Sequence, residues 1–149
     1  MRRRAFTFAL AFLALSSFLA IPVFADSTAA PAYQVIVHPS NKLSEVDRSF
    51  LEDAYLKKIS HWPGDQMIRP ADLLTSSATR RAFSEGVIHR SIDAVKGYWQ
   101  QRIFSGRDVP PPELDSDDDV VKYVLKYEGG VGYVARGAKI GDCKVVTVK

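Results

Sequence analysis

Short β-rich runs alternate with amphipathic runs along this 149-residue chain, and that alternation is its strongest constraint on fold. Tyr33–Val37 (YQVIV) reads as a strand, ended by the turn residues His38-Pro39-Ser40-Asn41. Ser44 reads as a helix N-cap, with Glu45 and Asp47 in the first turn. Val46, Phe50, Leu51, Ala54 and Tyr55 then recur at helical spacing until Trp62-Pro63-Gly64-Asp65 stops the helix. Gln66–Ala71 (QMIRPA) is a second short strand, bent or ended by Pro70. Ala82, Phe83, Val87 and Ile88 supply the apolar face of the next helix. Ser91 caps another, which carries Ile92, Val95, Tyr98, Trp99, Ile103 and Phe104. Three prolines in Ser105–Glu113 exclude helix and central strand. Ser116, with Asp117, Asp118 and Asp119, opens a last helix over Val120–Tyr127, where acids suit the helix dipole without calling for a metal. Gly129-Gly130 breaks it, and Val131–Ala135 and Cys143–Val148 are strands. Strands alternating with helices predict an α/β layered domain with one mainly parallel sheet flanked by helices. Tyr98, Trp99 and Phe104, on the densest apolar helix, are expected in the core.

The first 25 residues stand apart. Arg2–Arg4 form a basic start, Ala5–Leu15 is almost wholly apolar, and Val23-Phe24-Ala25 suits a signal peptidase. Cleavage after Ala25 is the expectation, with an uncleaved anchor as the rival, since the apolar character runs on to Phe24. Residues 26–32 (DSTAAPA) then form a flexible leader and 33–149 a single domain, periplasmic or secreted. Three of the 20 bases lie in the removed segment and none of the 17 acids does, so the remainder is formally neutral. No stripe of bases interleaved with aromatics is present, which sets nucleic acid aside as a partner. One cysteine, Cys143, excludes an internal disulfide and reads as a small buried hydrophobe.

Chemistry-bearing patterns are few. His38, His61 and His89 are scattered, without metal-ligand spacing, and no nucleophile elbow, Walker loop or dinucleotide fingerprint occurs. Neither a catalytic residue nor a cofactor is expected, and enzyme is the weaker class. The stretch Leu73–Phe83 (LLTSSATRRAF) is different. Thr75, Ser76, Ser77 and Thr79 crowd together and two arginines follow, at the start of an amphipathic run. A helix start leaves its first N–H groups unpartnered and carries partial positive charge, so surplus hydroxyls and amides there can hold an anion. The plainer reading is a well-capped surface helix with solvated arginines.

Taken together, VIVHPSN (Val35–Asn41), the helix-and-turn segment Leu43–Asp65, SSATR (Ser76–Arg80) and the helix leading into GGVGYVA (Gly129–Ala135) resemble, in that order, the phosphate-binding substrate-binding proteins of ABC uptake systems. The resemblance covers about Val35 to the C-terminus. It implies one periplasmic-binding-protein-like lobe, with phosphate or a similar oxyanion as ligand and a membrane transporter or other envelope protein as partner. It also implies ligand contacts from Ser76, Ser77, Thr79 and Arg80, with Arg69 near where the family places an arginine after its second strand. Ala78 stands where the family's loop has glycine, and the family clamps its ligand between two lobes where this chain has room for about one. Two functions follow as expectations: an exported oxyanion-binding domain linked to phosphate uptake, or a non-catalytic interaction module that keeps the lobe fold without tight ligand binding.

Overall fold

The computed structural model describes residues 30–149. The expected leader cleavage at Ala25 and most of the flexible segment lie outside the described residues.

Five strands make the main sheet, in the order β2-β7-β1-β6-β3. β1 (Tyr33–Val37) lies at its centre, between β6 (Gly130–Ala135) and β7 (Lys144–Val148), and both pairings are antiparallel. Parallel pairing is confined to the edges, where β2 (Glu45–Val46) joins β7 and β3 (Arg69–Pro70) joins β6. The α/β class therefore holds, while the sheet is mixed rather than mainly parallel. β6 and β7 both run against β1 and therefore parallel to each other on its two sides, so residues 136–143 carry the chain back from the Tyr33 end of β1 to its Val37 end.

The register Val35↔Tyr133 and Val37↔Val131 puts these four residues on one face, with Tyr33. α1 (Arg48–Tyr55) and α2 (Ala78–Phe83) cover that face through Tyr55 and Phe83. Phe83 stacks on Tyr133 with ring centroids 3.8 Å apart and meets Tyr33 edge-on at 5.4 Å. Tyr55 donates its hydroxyl to the Ala71 carbonyl at 3.0 Å. α4 (Asp117–Lys126) covers the opposite face, where Ile36 pairs with Gly132. A Cβ on Gly132 would stand 2.4 Å from a Val120 methyl, so glycine lets this helix lie directly on the strand. Covering both faces makes β1 and β6 almost continuously buried.

Two local expectations change. Glu45–Val46 is a strand, not a first helical turn, because β7 offers it backbone partners; the helix begins three residues later than expected, with Asp47 rather than Ser44 at the N-cap position. α3 (Ile92–Phe104) is capped by Ser91, whose Oγ accepts from the Ala94 amide at 3.2 Å, yet it buries only Val95 and Trp99. Tyr98 is half-buried and reaches the Leu56 carbonyl at 2.8 Å, whereas Phe104 is 89 % exposed and not in the core. Phe104 lies about 140° around the helix from Trp99, outside the apolar stripe. A second, two-stranded parallel sheet joins β4 (Asp72–Leu73) to β5 (Glu113–Leu114), tying the proline-rich segment to the body.

Candidate functional site

The hydroxyl-rich turn leaves β4 and starts α2. Ser77 has extended backbone (φ −69°, ψ 129°), and its Oγ accepts from the Arg80 amide at 3.3 Å, so it is the N-cap. Its own amide donates to the Leu74 carbonyl at 2.9 Å, closing the turn. The amides of Ala78 and Thr79 make no hydrogen bond among the described residues, as the geometry of a helix start requires. Ser76 is exposed, and Thr75 and Thr79 are half-buried. Thr75 also borders an open groove of about 350 Å³ with Arg81, Glu85, Ser91, Asp93 and Lys96, where bases and acids balance. α2 runs on through a π-helical turn, Ser84–Ile88, which ends at His89 in the left-handed conformation.

The two arginines take different places. Arg80 is 3 % exposed, and its guanidinium points inward. Nη2 meets Asp72 Oδ2 at 3.0 Å, and Nη1 meets Glu113 Oε1 at 2.7 Å and the Leu73 carbonyl. Asp72 is itself buried; its Oδ1 accepts from the Tyr133 hydroxyl and from the Leu73 amide at 3.1 Å. Burial raises the Asp72 carboxyl above its ordinary range, against the opposing pull of Arg80, Tyr133 and the Leu73 amide. Burial, reinforced by the Asp72 charge, likewise drives the Tyr133 hydroxyl far up, so it donates and stays neutral. Arg69 is exposed, and its guanidinium lies 5.0 Å from the centre of the Tyr127 ring, a cation–π contact at the end of α4. Arg69 and Arg80 share no partner among the described residues. The structure thus groups Ser76, Ser77 and Thr79 at one turn, sets Arg80 behind it, and places the Arg69 side chain against Tyr127.

Asp72 and Glu113 are the participants that sequence reasoning missed. Asp72 had a signal: an acid between Ala71 and Leu73, in an apolar run, needs a buried partner. Glu113 had none, because its role depends on β5 pairing with a strand far earlier in the chain. Among the described residues no group of three or more His, Cys, Asp or Glu could hold a metal ion, and no helix is long and apolar enough to cross a membrane.

The architecture has clear counterparts. A phosphate ABC transporter substrate-binding protein from Clostridium perfringens, solved with bound phosphate, superposes with a TM-score of 0.61 at 20 % identity, over 78 % of this chain and 44 % of that one. An ABC-type phosphate transport receptor from Vibrio cholerae gives 0.61 at 19 %, over 78 % and 46 %. PstS from Borrelia burgdorferi gives 0.59 at 14 %, over 79 % and 47 %. At such identities the likeness is one of fold, that of the periplasmic-binding-protein class, and the chain spans less than half the length of each. No protein-family model and no curated protein sequence matches the chain.

Proposed function

We propose that this chain is an exported, non-enzymatic solute-binding lobe that recognises phosphate or a similar tetrahedral oxyanion at the start of α2. One observation carries the reading: in a fold shared with phosphate-binding proteins, a Ser77-capped turn offers two amides, unpaired among the described residues, beside the hydroxyls of Ser76 and Thr79. Amides and hydroxyls at a helix start donate to oxyanions and meet favourable dipole potential there. Arg80 lies behind the turn and holds it through the Leu73 carbonyl, while the Arg69 side chain lies against Tyr127. With water open on one side, affinity falls near the millimolar end, about −4 kcal/mol. The partner is a membrane transporter or another envelope protein that supplies the opposing surface.

Amide shifts of the purified protein titrated with inorganic phosphate test this directly. Shifts confined to Ser76–Arg81 support the site. A folded spectrum unchanged there at high phosphate removes it. A second reading, an interaction module that keeps the lobe without ligand affinity, is favoured by the exposure of Ile103 (50 %), Phe104 (89 %) and Val109 (60 %) in one short segment. Substituting Phe104 with serine then abolishes partner capture while leaving any phosphate shifts unaltered.

A further inference from the structure

We propose that Glu113 is a built-in competitor for the oxyanion: its carboxylate occupies the guanidinium face of Arg80 that a bound phosphate would take, so ligand affinity is set by displacing it. The inference rests on the phosphate reading above and adds a residue to it. The two acids on Arg80 are unequal. The Asp72 side chain is 7 % exposed and held by Tyr133 and the Leu73 amide as well as by Arg80. The Glu113 side chain is 41 % exposed, and Arg80 is its hydrogen-bonding partner among the described residues. Glu113 therefore closes the solvent side of a guanidinium that is otherwise sealed.

Two further facts favour exchange at this position. Asp72 and Glu113 are directly paired across β4 and β5, so two like charges flank one arginine, and the Glu113 charge raises the cost of keeping Asp72 ionised. Arg80 is also under-used: its Nε is buried and has no partner among the described residues. Rotation of the Glu113 side chain alone frees an Nη1 donor on the solvent side for a tetrahedral oxyanion, with no change of backbone. Backbone bonds from the Asp72 amide to the Pro112 carbonyl (2.9 Å) and from the Leu74 amide to the Leu114 carbonyl (3.1 Å) hold β5 in place when the carboxylate leaves. The Nη1 atom that Glu113 would vacate also donates to the Leu73 carbonyl, at the end of the strand from which the Ser76–Thr79 turn departs.

Glu113→Gln removes the competing charge and nearly preserves shape; Glu113→Ala is the second variant should the glutamine re-form the same bond. Asp115→Asn removes one charge from an exposed neighbour and controls for bulk electrostatics. Calorimetric titration with phosphate and with sulfate at low salt, with near-ultraviolet dichroism confirming the fold, gives the result. About tenfold tighter phosphate binding in both Glu113 variants, with Asp115→Asn unchanged, supports the proposal. Wild-type binding that neither Glu113 variant improves overturns it while leaving the phosphate reading intact. Equal gains in Asp115→Asn and Glu113→Gln overturn it as a bulk charge effect. Folded protein and variants that all ignore both anions overturn it together with the reading on which it rests.

Discussion

Arg80→Met separates the structural duty of this arginine from any role toward ligand. Methionine replaces the buried stem but strands Asp72, whose side chain is 7 % exposed, beside Tyr133. The stranded carboxyl escapes by taking a proton, which the Tyr133 hydroxyl tolerates by turning acceptor. Holding a carboxyl of ordinary pKa 3.8 protonated at pH 7 costs about 4 kcal/mol, at 1.36 kcal/mol per unit. That sum caps the Asp72 contribution and agrees with the roughly 3–5 kcal/mol typical of a broken buried pair. Glu113, being 41 % exposed, adds at most about 1 kcal/mol, because water solvates it when Arg80 is gone. The same protonation costs only about 2 kcal/mol at pH 5. The sign follows from linkage: the folded variant holds the Asp72 proton more tightly than the unfolded chain, so its stability rises as pH falls between the folded pKa and the unfolded value of 3.8. Urea unfolding followed by fluorescence of the buried Trp62 and Trp99, at pH 7 and pH 5, reads both values. A further change, Asp72→Asn, should restore most of the loss at pH 7. A loss below about 1 kcal/mol at pH 7, or one that does not shrink at pH 5, would refute the argument that Asp72 depends on this pair.

Other outcomes are equally open to measurement. Trp99→Ala should cost roughly 3–5 kcal/mol in the same urea assay, since Trp99 is the main side chain anchoring α3; an unchanged midpoint would place this helix outside the cooperative unit. Burial, with help from the neighbouring Asp142 charge, pushes the Cys143 thiol up to about 11. Labelling by a thiol reagent at pH 8 should therefore be about a hundredfold slower in the folded protein than in urea, and equal rates would show that the turn leading into β7 opens freely. Intact-mass measurement on protein from the cell envelope should give an N-terminus at Asp26, and recovery of the uncleaved chain in membranes would favour an anchor.

The carboxylates on Arg80 also bear on what an oxyanion meets. One guanidinium faces two acids, so Arg80 adds little net positive charge to the Ser76–Thr79 turn, and recognition there depends on donors more than on long-range attraction. Phosphate affinity should accordingly change little with added salt compared with a site built on free arginines.

Features closed within a few residues could be read from the chain alone. Ser77, Ser91 and Ser116 cap their helices through bonds to amides three residues on, and that spacing is visible in any sequence. The β1 strand from Tyr33 to Val37 and the turn at Gly64, with φ at +106°, are local in the same way. Tertiary structure decided what depends on distant partners. Glu45–Val46 became a strand because β7, a hundred positions later, lies alongside it. Phe104 was left in solvent because no element among the described residues covers that side of the α3 terminus. Arg80 could be identified as an arginine beside hydroxyls, but its orientation was set by Asp72 and by Glu113, 33 positions away in sequence. A guanidinium on a long stem can point to water or into the protein, and burying its charge requires carboxylates that only the folded chain assembles around it.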